Sequence, residues 1–348
     1  MYPNSVSADA LRIWISRVFV VAGMPEADAE QSAGQLVQTS LWGIDSHGVS
    51  RVPHYLNRLR RGSIKARPEM AFEATGPATG NVDGDHGLGF VVCTFAEDKA
   101  IELALAGGAG VVGVRNSSHC GAIGLYSRRA AAKGLIGISF THANSFVIPH
   151  DGNRPFFGTN PISIAIPTTD AARPLCLDMA TSVVPMNRIH NARRENRPVP
   201  PGLGVDKDGR DTTDARAIAA LKPMGGHKGY AMAFVIDMLC GPLNGMPYGP
   251  HLNKMYEELD EYRRLGSLMI ALDPRRFFGG AGLAAAAFAA IAEVKNQGER
   301  VLYPGEPEYE SEVRRLKEGI PVEPGLWGQY AEWSERLAIP LPIPPGAG

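Results

Sequence analysis

Gly108-Ala109-Gly110-Val111-Val112-Gly113 has the G-x-G-x-x-G spacing of a dinucleotide-binding turn. Such a turn works only when a strand precedes it and a helix follows, so that a pyrophosphate meets the helix N-terminus. Here the order is inverted. The residues upstream predict a helix over 89–106, and VVGV (111–114) downstream has strand composition. The glycines therefore read as a helix stop followed by a strand entry, and no Rossmann site is expected. Lys228 is followed by glycine rather than Ser or Thr, which removes the P-loop as well.

Outward from that stretch, strands and helices alternate. LIGISF (135–140), ISIAIP (162–167), LCLDM (175–179) and LMIALD (268–273) have strand composition, and helices are expected at 121–133, 229–239 and 283–294. The first sixty residues are helical in texture. Leu11, Trp14, Ile15, Val18 and Ala22 repeat at helical spacing before Gly23, a second helix is expected over 25–41, and a short third one starts near Val52–Pro53 and ends at Gly62. The polar, Pro- and Gly-containing stretch 192–214 reads as a long loop, a kind of segment that is usually functional. The last ten residues are proline-rich. The expected class is α/β or α+β with a helical N-terminal part.

Composition narrows the function classes. A chain of 348 residues suggests about two domains. With 35 basic against 36 acidic residues it offers no field for nucleic acid or an anionic membrane. Cys93, Cys120, Cys176 and Cys240 are far apart, which disfavours a zinc site or a disulfide framework and fits a reducing compartment. The nine histidines contain no H-E-x-x-H or H-x-H, so no metal site is expected, and no G-x-S-x-G marks a serine hydrolase. The N-terminus lacks the basic region of a signal peptide and no apolar run reaches bilayer length, so the expected location is the cytoplasm.

Four segments carry groups suited to chemistry. In Ile44–Tyr55, Arg51 and Tyr55 lie four apart on one helical face, where guanidinium and phenol can hold a carboxylate. His47 sits just ahead of them as a possible acid or base; the plain alternative is that Ser46 caps the helix and Arg51 faces water. Asn116-Ser117-Ser118-His119-Cys120-Gly121 falls between a strand and a helix, where the helix dipole would keep His119 neutral and able to take a hydroxyl proton. Gly225-Gly226-His227-Lys228-Gly229 opens a helix in a manner suited to phosphate. Asp178-Met179-Ala180-Thr181-Ser182 ends a strand and can line the same cleft, and Tyr303-Pro304-Gly305-Glu306 has the residues of a type II turn.

These same residues resemble the malate/L-lactate type-2 dehydrogenase family, which also contains ureidoglycolate dehydrogenase, sulfolactate dehydrogenase, diketogulonate reductase and piperideine-carboxylate reductase. The matching stretches are GIDSHGVSRVPHYLNRLRRG (43–62), NSSHCGAIG (116–124), FGTNPISIAIP (157–167), LDMATS (177–182), PMGGHKGYAMA (223–233) and YPGE (303–306). The resemblance implies a non-Rossmann nicotinamide-binding fold around a largely antiparallel sheet. It also implies a discontinuous helical domain from residues 1–75 with 307–348, a cofactor domain over 76–306, and a cytoplasmic homodimer. By the same resemblance, His119 or His47 carries the proton, and Arg51, Tyr55 and Asn144 hold the substrate. Asp178, Met179, Ala180, Lys228, Pro304, Gly305 and Glu306 contact NAD or NADP. NARRENRPVP (191–200) and PLNGMPYGPHLNKMY look most like the ureidoglycolate dehydrogenase branch. The implied activity is hydride transfer between nicotinamide and a small 2-hydroxy or 2-oxo acid such as malate, lactate or ureidoglycolate. The alternatives are a reductase of cyclic imino acids and a non-catalytic protein that binds a nucleotide or a carboxylate.

Overall fold

Ser7 opens the first helix, its side chain accepting the Ala10 N–H, and Leu11, Trp14, Ile15 and Val18 then fall on one buried face. This computed structural model describes residues 5–342; most of the proline-rich end lies outside them. Helix α1 (Ala8–Val21) packs on α2 (Glu26–Leu41), and α3 (Val52–Arg61) follows, with proline in its first turn and Gly62 left-handed at its end. Their shared core also takes Ile320, Val322, Tyr330 and Trp333 from the far end of the chain. Trp14 donates to Ser334 at 3.0 Å, and the Tyr330 hydroxyl reaches the Val49 carbonyl at 2.8 Å. Strand β1 (Ser5–Val6) pairs with Ile320–Pro321.

The strands β2 (Ala71–Ala74), β3 (Thr79–Asp83), β4 (Ala109–Ser117), β5 (Ile136–Thr141), β6 (Ile162–Ile166) and β7 (Leu175–Met179) belong to one sheet. The short strands β8 (Gly204–Val205) and β9 (Ala220–Leu221) pair apart from it, and β10 (Leu265–Leu272) enters between β4 and β5, giving the order β2-β3-β4-β10-β5-β6-β7. Only β3–β4 is parallel. Helices α4 (Gly89–Gly107) and α5 (Gly124–Ala131) cover one face, where Val112, Val114, Met269 and Ala271 meet them. The helix α4 stops at left-handed Gly108 and β4 begins at once, as the inverted glycine pattern predicts.

The remaining helices are α6 (Met186–Arg194), α7 (His227–Cys240), α8 (Leu283–Lys295), α9 (Glu306–Glu318) and α10 (Pro324–Leu337), with the short strand β11 (Ile320–Pro321) between the last two. Two expectations need correction. The stretch 192–214 is not one loop: it starts inside α6, whose polar sequence buries only Ile189 and Ala192, and it contains β8. The helix expected over 121–133 is shortened to α5, because residues 118–123 are spent in an irregular turn that leads into it.

Candidate active site

Helix α3 and the turn before it bring three titratable groups to one place. The turn is tied down from outside: Arg315 pairs with Asp45 and donates to the Ser40 carbonyl at 2.6 Å. His47 then stacks its ring on His119, centroids 5.5 Å apart, and its Nδ1 meets the Ser46 hydroxyl at 2.7 Å. Arg51 donates to the Ser46 carbonyl and to the Tyr256 hydroxyl, and its Nη2 has no partner among the described residues. Tyr55, one turn on, does not line the cleft. It is fully buried beneath Phe90, and its hydroxyl meets His119 Nδ1 at 2.6 Å. Its place is therefore behind His119 and not on the cleft wall, where the resemblance would have it hold the substrate.

A cleft with a cavity volume of about 80 Å³ opens over these groups, lined by His47, Arg51, His119, Asn144, Tyr256 and Arg263 among others. His119 arrives from β4. Ahead of it the strand bulges, so that Arg115 and Asn116 together oppose one residue of β10, with Asn116 left-handed at φ 51°. Asn144 and Arg263 come from the ends of β5 and β10 and are joined by an Arg263 Nη2–Asn144 Oδ1 bond of 3.0 Å.

One arginine grips the wall carrying Tyr256 at four carbonyls. Arg58, 1% exposed, donates to the carbonyls of Met255 (2.8 Å), Glu261 (3.1 Å), Glu258 (3.2 Å) and Lys254 (3.5 Å). Replacing it by methionine keeps the volume and strands those carbonyls, at a cost of about 3 kcal/mol. The expected result is a lower melting temperature and early proteolytic cutting within 253–262, read by mass spectrometry; an unchanged cutting pattern would remove the clamp.

The electrostatics are one-sided. Burial first and then the Arg51 charge push His47 down to about 3. His54 is likewise lowered to about 3, by burial and then by Arg58, Arg51 and Arg263. His119 is held well below the usual histidine range by burial, then by His47 and Arg51. The fixed charges that act on His119 are the guanidiniums of Arg51 and Arg263, both positive, and Arg263 itself is lowered to about 9, mainly by burial. A cleft with this surplus favours an anionic ligand and keeps its imidazoles neutral.

This geometry can be set beside known proteins. The family model described as malate/L-lactate dehydrogenase matches residues 6–330. The chain belongs to the malate/L-lactate dehydrogenase family. Among its curated relatives, the malate/(S)-sulfolactate dehydrogenase of Methanothermus fervidus is 33% identical over 97% of this chain and 99% of its own. The ureidoglycolate dehydrogenase (NAD(+)) of Escherichia coli O157:H7 is 36% identical over 78% of each. The (2R)-3-sulfolactate dehydrogenase (NADP(+)) of Chromohalobacter salexigens is 35% identical over 74% and 78%. Of solved structures, sulfolactate dehydrogenase from Methanocaldococcus jannaschii superposes with a TM-score of 0.90 at 33% identity, covering 97% of this chain and 98% of that one. The delta1-piperideine-2-carboxylate reductase from Pseudomonas syringae gives 0.86 at 29%, covering 94% and 99%. The chain is thus an oxidoreductase of a family whose members use NAD or NADP.

The residues that the family resemblance assigns to that cofactor gather around β7. Asp178 accepts the Gly124 N–H at 2.9 Å, and burial raises its carboxyl to about 6 against the opposing pull of that N–H and of Arg128. Pro304 docks on the start of the same strand through the Cys176 N–H at 2.9 Å. The 303–306 turn has Gly305 at φ 101° and closes with the Glu306 N–H on the Tyr303 carbonyl at 3.0 Å, while the Glu306 carboxylate pairs with Lys295. Beyond Met179 and Ala180, Thr181 accepts the Met224 N–H at 2.9 Å, which draws the start of α7 to the strand end. There Gly225 and Gly226 take φ 57° and 63°, ahead of an exposed Lys228 on a 14-residue helix. Successive positive-φ glycines at a helix start, with a free ammonium, fit a phosphate-bearing cofactor.

Sequence reasoning missed Tyr256, Arg263 and His190 on the cleft wall. They sit in polar or irregular sequence far from the histidine motifs. The short-range signals used for Arg51 and His119 do not exist for them.

Proposed function

We propose that the chain oxidises a small 2-hydroxy acid, and reduces the matching 2-oxo acid, with NAD or NADP. The observation that carries this reading is the positively charged cleft in which Arg51 keeps a free Nη2 beside two stacked neutral imidazoles. Arg51 binds the carboxylate, Asn144 adds a polar contact, and His119 takes the hydroxyl proton. Both rings meet a hydroxyl at Nδ1, but His119 is held by the buried Tyr55 of a packed helix and His47 only by its neighbour Ser46, which supports His119 for that task. When His119 Nδ1–H donates to the phenol oxygen, Nε2 is bare and can accept a proton; in the other direction the imidazolium returns it to the carbonyl oxygen. Asp178, Met179, Ala180, Lys228 and the Pro304-Gly305-Glu306 turn hold the cofactor, which when bound supplies the hydride chemistry.

Nicotinamide absorbance with purified protein tests this. Each cofactor is run against glyoxylate, pyruvate, oxaloacetate, malate, lactate and ureidoglycolate, and NADH and NADPH also against piperideine-2-carboxylate. Turnover of a hydroxy or oxo acid is the expected result; turnover of the cyclic imine alone would replace the substrate class, and silence throughout would remove the reading.

The discontinuous domain pairing (1–75 with 307–348, around 76–306) and a homodimer are part of the same proposal. Helix α8 supports the dimer: it buries none of its residues and exposes Phe288 and Val294, which a second copy would cover. Among the described residues no helix is long and apolar enough to cross a membrane. Light scattering on the assay sample should give twice the chain mass; a monomer would separate the dimer from the rest.

A further inference from the structure

Gly266 lies where the three segments that deliver the cleft residues meet. It is the single β10 residue facing the β4 bulge, three residues upstream of His119. It follows Arg263 by three positions, and it stands beside the end of β5, two residues before Asn144. On its α7 side there is no room at all: a Cβ would fall 1.9 Å from the Cys240 carbonyl oxygen.

The bulge costs Gly266 its regular ladder partners, and side chains replace them. Its N–H donates to His142 Nε2 at 2.9 Å, and its carbonyl accepts the Thr141 hydroxyl at 3.2 Å. Because His142 Nε2 accepts, the ring proton is on Nδ1, which donates to Asp237 Oδ1 at 3.3 Å. Asp237, fully buried on α7, also accepts from Gly249 N–H at 2.9 Å and from Asn160 Nδ2 at 3.3 Å. Asn160 closes the ring by accepting the Ala143 N–H at 3.2 Å, next to Asn144. Every side chain in this network is buried, and none lines the cleft.

We propose that His142 and Asp237 are positioning residues for the reaction: by fixing the ring tautomer, the pair holds Gly266 and so sets His119, Asn144 and Arg263 in register. Neither touches the reacting atoms. The inference rests on the function proposed above only in what it positions, and its first test needs no substrate.

That test uses two amide substitutions that divide the functions of the ring. In His142→Gln the side-chain oxygen takes the place of Nε2 and still accepts the Gly266 N–H. In His142→Asn the amide takes the place of Nδ1, keeps Asp237 and loses Gly266. Hydrogen exchange read by mass spectrometry should show faster exchange in His142→Asn, confined to peptides holding 116–121, 142–144 and 263–266, and near-native protection in His142→Gln. Asp237→Leu, close in volume and without an acceptor for the Nδ1 proton, should loosen the same three peptides. On an active substrate, His142→Asn should raise KM about tenfold, with cofactor affinity unchanged and His142→Gln close to the parent. Equal behaviour of the Asn and Gln variants, or loosening spread evenly over the sheet, would overturn the proposal. An enzyme silent on the whole panel would count against the function and leave the exchange result to decide the junction.

Discussion

His119→Ala should lower kcat for hydroxy-acid oxidation by roughly 10²–10⁴, the range supplied by one general acid–base group. Cofactor affinity should not change, since the ring is bonded to Tyr55 and stacked on His47. His47→Ala should cost less, because its Nδ1 contact is only to the neighbouring Ser46. The pH profile adds an independent reading. A histidine with a lowered pKa stays in its proton-accepting form as pH falls, so oxidation should show no acid-side loss between about pH 8 and pH 6. Full activity of His119→Ala together with loss in His47→Ala would transfer the proton to His47. An ordinary histidine inflection in the parent would mean that the cleft is wetter and less positive than described.

Arg51→Ala should raise KM for the acid about 100-fold with a much smaller change in kcat, the effect of losing a charge-assisted contact from the free Nη2. Lysine keeps the charge and loses the planar fork, so Arg51→Lys should lie between, at about tenfold. Arg51 also donates to Tyr256, so Tyr256→Phe is the control for a displaced wall. If KM for Arg51→Ala matches that of Tyr256→Phe, the arginine serves the loop and not the substrate.

What was legible beforehand followed local pattern. The helix-then-strand order at 108–113 excluded a Rossmann turn, apolar spacing placed α1 within two residues, and the helix expected over 25–41 is α2. His47, Arg51 and His119 stood in short motifs, and the structure brings them to one cleft along with Asn144. Tyr55 illustrates the limit of helical-face reasoning. Four residues from Arg51 is the right side of α3, but the depth at which Tyr55 sits, under Phe90, depends on α4. Arg263 was invisible for a related reason: its partners are the Asn253 carbonyl ten residues upstream and the amide of distant Asn144, and backbone acceptors leave no trace in sequence. The helix α6 was hidden because a polar helix with two buried residues has almost no apolar stripe.

The grip of Arg58 on residues 254–261 is made to carbonyl oxygens, which every amino acid presents alike. Those bonds therefore persist when residue identities along the segment change, even where the Asp260 pair with Arg61 is lost. The lining of the cleft and the attachment of its roof have separate chemical owners here, so the roof can be rewritten one residue at a time, each intermediate still fastened over Arg51.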